Sequence, residues 1–397
     1  LRETLSRRNP ALASLLFGDA QEMQSAVCAY DVVYPQAKLT YRDGVQLDPY
    51  RKTAVPSKKY EYEVVERGAS APFRMVITLR GCHTKDSAHW KEAEISDETT
   101  DGLLFLKDEL QKGIALGAMT AKGFGRVRGS NVSLGLYDFK CAADVRNWLA
   151  QELPTAQKAS RQLTETGSLF AANPRDFSVR AEVALRSSLL VRDYTVNTEG
   201  KSVAVMLKSG EDAVIPGTTL KGALRHRAMY IAEKLGKDRA WLEDFMGRGE
   251  EEEGLSVKRG RSKSRLVAEE SYLDLKQPQL REMEVTRNRI DRFTGGVMRG
   301  ALFTTKPIWQ DDETQASFVL RFTIRDASEA EAGLALFLLK DLWLGDLPIG
   351  AETGVGRGSI RGLQADICYD GKTFQIKGDG CVQGDLALLN RYAEAFC

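Results

Sequence analysis

The residues best suited to chemistry lie where glycine turns meet basic side chains. Residues 215–225 read Ile-Pro-Gly-Thr-Thr-Leu-Lys-Gly-Ala-Leu-Arg, a Pro216-Gly217 turn opening a helix that carries Lys221 and Arg225 in its first turns. A helix N-terminus leaves N–H groups unpaired at the positive end of its dipole, so a phosphate could sit there. The same turn also suits plain packing of a helix on a sheet. Residues 350–362 interleave Gly354, Gly356 and Gly358 with Arg357 and Arg361. Glycine permits close approach of backbone to a ligand, and arginine reaches phosphate oxygens. The spacing fits neither a Walker A loop nor a dinucleotide fingerprint. Residues 285–303 place Arg287, Arg289, Arg292 and Phe293 around turn residues between two strand-like stretches. Such a hairpin could slip an aromatic between stacked bases while its arginines hold phosphates, or be an ordinary basic surface hairpin.

Other chemistries find less support. His83 and His89 share a loop and His226 follows the glycine turn, without a cysteine or carboxylate at ligand spacing, which predicts packing or surface roles. No serine or cysteine triad motif occurs. Six scattered cysteines without a Cys-x-x-Cys pair predict reduced thiols in a cytoplasmic protein.

The elements that must position these residues follow from length and pattern. A chain of 397 residues with 43% apolar content suits two domains with proper cores. Fifty-six basic residues balance fifty-five acidic ones, so no global field draws the chain to nucleic acid. The charge is segregated instead. An acidic block at 250–253 precedes Lys258, Arg259, Arg261, Lys263 and Arg265, and reads as a solvated loop. No apolar run approaches the ~20 residues of a membrane helix, so no membrane partner is expected. The opening Leu1-Arg2-Glu3-Thr4-Leu5 lacks the layout of a secretion signal.

Self-similarity organises the chain. Residues 117–129 align without gaps with 350–362, sharing the Gly-Ala opening, the threonine, the Gly-x-Gly pair and the closing Arg-Gly, which pairs Arg128 with Arg361. Upstream, 103–108 lies over 336–341, and 73–80 resembles 318–325. This order predicts a tandem duplication. The counterpart of the 285–303 hairpin contains Arg42 and Tyr50, followed by Lys58-Lys59-Tyr60. Leu1-Arg2 falls over Leu224-Arg225, so the second copy has an opening strand, loop and turn without equivalent in the first. Period predicts strands at 181–191 and 318–324, helices after Pro216 (capped by Thr218 or Thr219) and at 330–344, and a glycine loop at 350–362 running into a short strand. The expected fold is α+β: two tandem ferredoxin-like (RRM-like) units, at 1–140 and 178–397, joined by a helical connector at 141–177.

Residues 215–225, Arg-Asn-Arg-Ile-Asp-Arg-Phe-Thr-Gly-Gly at 287–296 and Gly-Val-Gly-Arg-Gly at 354–358 resemble the RAMP superfamily, the repeat-associated proteins of CRISPR effector complexes. They look most like the backbone subunits of type III assemblies, and the paired copies are similar to the fused subunits of type III-D-like systems. The resemblance implies polymerisation along a guide RNA, with a thumb hairpin from each domain kinking the guide–target duplex. It implies as partners the guide RNA, a complementary target RNA, other RAMP subunits and a large signalling subunit. Thumb contacts would fall on Arg287, Arg289, Arg292 and Phe293, and on Arg42 and Tyr50. Guide contacts would fall on Lys221, Arg225, Gly354, Gly356, Arg357, Arg361 and Arg128. Type III relatives cleave target RNA with an aspartate and Mg²⁺ or Mn²⁺. That position falls near Ser202, which is not acidic; of Asp193, Asn197, Glu199, Glu211 and Asp212 nearby, Asp193 is the expected catalytic and metal-binding residue. A purely architectural subunit, with catalysis supplied by neighbours, is the alternative.

Overall fold

The structure is a computed structural model that describes residues 1–20, 23–48, 53–89, 94–151, 153–164, 175–193, 203–247, 262–311 and 316–397. It divides into two compact units. One comprises Leu1–Pro35, Ala71–Ala118 and Gly125–Asn173; the other comprises Gln36–Ser70, Met119–Phe124 and Pro174–Cys397.

The second unit is built on a six-stranded antiparallel sheet. Its order is Leu266–Ala268, Phe318–Ile324, Phe177–Leu185, Ile360–Tyr369, Lys372–Lys377 and Val382–Gln383. Alternation decides its two faces. Phe177, Val179, Ala181 and Val183, with Phe318, Leu320, Phe322 and Ile324, point into the core. Helices Gly217–Lys234 and Glu329–Leu344 cover that face through Leu220, Leu224, Leu334, Leu338 and Leu342. Each such fully buried side chain contributes about 1.5–3 kcal/mol. The opposite face is polar and lines an open groove of about 650 Å³ with Ser178, Arg180, Arg321, Thr323, Asp366 and Gln375 among its walls.

Local chemistry sets the helix ends. Ser328 and Glu331 form a capping box at the start of Glu329–Leu344. Helix Gly217–Lys234 is capped by the backbone at Pro216, with no side-chain cap, so neither Thr218 nor Thr219 plays the expected role. Gly217 is required by space: a Cβ there would stand 2.2 Å from the Lys122 carbonyl and 2.5 Å from that of Ala268.

Two expected elements differ in extent. The strand expected at 181–191 starts at Phe177 and stops at Leu185. Beyond it Arg186 N–H extends the register to the Ser359 carbonyl at 3.0 Å, and Ser188–Leu189 then pairs separately with Ile308–Gln310. The strand after the glycine loop is long, Ile360–Tyr369, because it pairs on both sides.

The first unit packs Leu5, Leu12, Leu16, Leu103, Phe105 and Leu106 between its N-terminal helices and helix Asp97–Lys112, which Ser96 caps. Among its described residues the strands form only two-stranded ladders, such as Val27–Ala29 with Met75–Ile77. Where a helical connector is expected, helix Ala142–Leu149 gives way to a 3₁₀ turn, Ala156–Lys158, and a short strand, Arg161–Gln162. His83 is fully buried and hydrogen-bonded to the Arg80 N–H at 2.8 Å, a packing role. Among the described residues no helix is long and apolar enough to cross a membrane.

Candidate nucleic-acid interface

A second, four-stranded sheet carries the candidate site. Its order is Arg192–Asp193, Val203–Met206, Val297–Lys306, Val285–Ile290. The last two strands form an antiparallel hairpin with a register shift between Asn288 and Ile290. Asp291 Oδ1 organises the tip by accepting from the N–H groups of Phe293 at 2.9 Å and Thr294 at 2.8 Å. Those bonds, that of Thr294 foremost, hold the Asp291 carboxyl below its ordinary range. The outcome is a tip that presents Phe293 at 100% exposure, flanked by exposed Arg289, Arg292 and Arg299.

The hairpin base is tied to the glycine loop by one carboxylate. Glu352 Oε2 takes the Arg357 Nε–H at 2.8 Å and also pairs with Arg287, while Oε1 takes Arg192 at 3.1 Å. Burial raises the Glu352 pKa, but the hydrogen bonds from Arg357, Arg287 and Arg192 outweigh it and leave the carboxyl below its usual range. Arg357 also donates from Nη1 to Ser188 Oγ at 3.0 Å and from Nη2 to Thr305 Oγ1 at 3.5 Å. Arg287 also lies over the Phe303 ring, 5.1 Å from its centroid. Three elements of the expected site thus converge on a residue that motif reading passed over. The signal was present: Glu352 stands in the second loop where the first has Met119.

Both loops adopt one backbone course. Met119 and Glu352 are left-handed (φ 55° and 59°), and each opens a 3₁₀ turn, Thr120–Lys122 and Thr353–Val355. Leu116 N–H donates to the Gly125 carbonyl and Ile349 N–H to that of Gly358, both at 2.9 Å. Gly125 and Gly358 have positive φ, and a Cβ at either would fall within 2 Å of the carbonyl oxygen of Leu116 or Ile349. Gly354 and Gly356 are exposed, and a Cβ on either would meet open space.

The RAMP superfamily model matches residues 5–128 and 183–361. The chain belongs to the RAMP superfamily. A solved structure described as the type III-B Cmr-beta complex bound to cognate target RNA matches at 14% identity with a TM-score of 0.34. The match covers 49% of this RAMP chain and 61% of that chain. No curated protein matches.

The remaining expected contacts of this RAMP protein are distributed unevenly. Lys221 is largely buried and donates to the carbonyls of Leu266 at 2.7 Å and Ala121 at 3.2 Å. Burial, with Lys122, Arg225 and Arg325 nearby, lowers its pKa to about 7. Arg225 binds the carbonyls of Gly247 at 2.7 Å and Met246 at 3.3 Å, closing the C-terminus of helix Arg239–Met246. Arg42 lies in the hairpin formed by Leu39–Leu47 and Ala54–Val65, within the second unit, and its side chain is buried against Glu270 at 2.8 Å. Arg128 and Arg361 are exposed. Tyr50, Asn197, Glu199 and Ser202 lie outside the described residues.

Asp193 ends the strand beside Arg192. It is paired with Val205, and Val205 is paired in turn with Lys306 of the hairpin strand. Asp212 is held by Arg67 at 2.9 Å and Glu211 by Lys276 at 3.3 Å. Among the described residues no three His, Cys, Asp or Glu side chains stand where they could hold a metal ion. Asp193 offers one carboxylate, so these residues do not by themselves build a Mg²⁺ or Mn²⁺ site.

Proposed function

We propose that the chain is a guide-RNA-binding backbone subunit of a type III CRISPR effector complex, acting in the cytoplasm. Membership of the RAMP superfamily supports the class. The observation that carries the reading is the hairpin Val285–Ile290 with Val297–Lys306: an ordered tip, a fully exposed aromatic and three exposed arginines. That combination offers a π-face for stacking and cations for phosphates, the two components of single-strand and distorted-duplex binding. In this reading the hairpin is the thumb that enters the guide–target duplex. Specificity comes from base pairing with the guide, and other RAMP subunits and a large signalling subunit complete the assembly.

The finer architecture is also a proposal. The strand order around Phe177–Leu185, with helix Gly217–Lys234 in the crossover to Leu266–Ala268 and helix Glu329–Leu344 in that to Ile360–Tyr369, supports a ferredoxin-like second domain. The repeated loop geometry at Met119 and Glu352 supports a tandem duplicate, and its type III-D-like character rests on the sequence resemblance.

Target cleavage enters through Asp193. Its place in the hairpin sheet supports a role near the distorted duplex. A carboxylate there accepts the proton of a 2′-OH as that oxygen attacks the adjacent phosphorus. The P–O5′ bond breaks, leaving a 2′,3′-cyclic phosphate and a 5′-OH that takes up a proton. The test is a guide-loaded complex with labelled target RNA and the Asp193→Asn variant. Loss of one regularly spaced product, with guide binding intact, supports cutting; an unchanged ladder leaves the architectural alternative.

A further inference from the structure

A cleft in the first unit contains side chains that the hairpin reading does not use. The ladder of Val27–Ala29 with Met75–Ile77 ends where Tyr30 N–H donates to the Arg74 carbonyl at 3.1 Å. This locks the two residues side by side, and the Arg74 guanidinium lies 4.3 Å from the Tyr30 ring centroid. Helix Ala142–Leu149 supplies Trp148, held edge-on by Tyr137 at 5.1 Å and Phe139 at 5.6 Å. Gln151 braces that wall by donating to the Tyr137 hydroxyl at 3.3 Å. With Leu149, Leu153 and Pro154 these residues line a cleft of about 310 Å³.

The cleft has two unmet demands. Leu149 and Leu153 are 76% and 59% exposed. Among the described residues Arg74 Nε and Nη1 are shielded from water and meet no acceptor, an expensive state for a charged donor. An inorganic anion would satisfy the guanidinium but leave the apolar walls wet. An apolar peptide side chain would cover the walls but leave the two donors orphaned. A nucleotide does both, with a flat base for the aromatic wall and oxygens that the guanidinium meets when the Arg74 side chain turns off the Tyr30 ring. The volume lies at the small end of ligand sites, consistent with a single nucleotide.

We propose that this cleft binds one unpaired RNA nucleotide, its base against Trp148 and Tyr30 and a phosphate or ribose oxygen on Arg74. The proposal rests on the reading of the chain as an RNA-binding subunit. Recognition is by stacking, so the cleft has little base preference.

Photocrosslinking of the full chain to single-stranded RNA containing 4-thiouridine, with adducts mapped by mass spectrometry, tests this. Adducts are expected on Tyr30 or Trp148 as well as on the 285–306 hairpin. Arg74→Gln should lower the cleft adducts about tenfold and spare the hairpin adducts, the loss of one charge-assisted hydrogen bond. Excess uridine monophosphate should suppress the cleft adducts of the unaltered chain, a readout independent of how the variant folds. Hairpin adducts without cleft adducts would overturn the proposal and leave the RNA-binding function standing. No adducts anywhere would overturn both. Cleft adducts insensitive to uridine monophosphate and to Arg74→Gln would also overturn it.

Discussion

Glu352 holds Arg357 at 2.8 Å from a left-handed backbone position, and through the same carboxylate it holds Arg287 of the hairpin. A non-glycine residue at φ 59° carries a cost of about 1 kcal/mol. The ion pairs with Arg357, Arg287 and Arg192 offset it. One carboxylate thereby fixes the glycine loop, the hairpin base and the strand that ends at Asp193.

Glu352→Gln is expected to destabilise the second unit by roughly 2 kcal/mol, between the values for exposed and buried ion pairs. Because the folded-state pKa of Glu352 is depressed, its contribution is present above the ordinary carboxylate range and lost as pH falls through the folded value. Urea titrations should therefore show a difference between variant and parent that is largest at pH 7 and shrinks as the pH is lowered below the ordinary carboxylate range.

Lys221 behaves in the opposite sense to a lysine that gains a partner. Its folded pKa, about 7, lies below its ordinary 10.5, so the unfolded chain binds more protons between those values. Stability should rise with pH across roughly 7 to 10 and be flat below 7 as far as this group is concerned. Lys221→Met should abolish that portion of the slope in denaturation curves. If a guide phosphate reaches the ammonium, RNA binding near pH 8 should also take up protons, visible as a buffer-dependent calorimetric enthalpy.

Arg42 and Glu270 form an ion pair whose side chains are 6% and 12% exposed, with Tyr272 donating to the same carboxylate at 2.7 Å. Arg42→Met leaves Glu270 buried and unpaired, and should cost about 3 kcal/mol in chemical denaturation. Adding Glu270→Gln should recover part of that loss. A non-additive cycle of this kind identifies Arg42 as a fastener of its hairpin.

The segments most legible in the sequence were those whose burial follows one period. Phe318–Ile324 coincides with its expected strand, and Glu329–Leu344 begins one residue before its expected helix. The aliphatic run at 181–191 was less informative, because apolarity reports burial and not ladder continuity. Arg186 N–H still bonds Ser359 in register with the Ile360–Tyr369 strand, and beyond it Ser188–Leu189 changes partner to Ile308–Gln310, a segment distant in sequence. The site was harder to read for a related reason. Arg287 and Arg42 looked available for phosphate, yet their carboxylate partners, Glu352 and Glu270, sit in segments that only the fold brings near, while the partner of Arg357 lies five residues before it in the same loop. Glycine turns were legible because steric necessity is local, as the clash of a Cβ at Gly358 with the Ile349 carbonyl illustrates.

Phe293→Ala should leave thermal stability within about 0.5 kcal/mol of the parent, since the ring is fully exposed. Its RNA affinity should fall about tenfold in filter binding, the range of one lost base–aromatic stack. Arg289→Gln with Arg292→Gln should lower the salt slope of binding by about 1.4 to 1.8, because two phosphate contacts are removed.

The central claim is that this RAMP protein holds a guide RNA. Its most direct test is to isolate the protein with its native neighbours and sequence the RNA that accompanies it. Short RNAs sharing one constant, repeat-derived end are the predicted result. No RNA, or RNA of random sequence, would contradict the account.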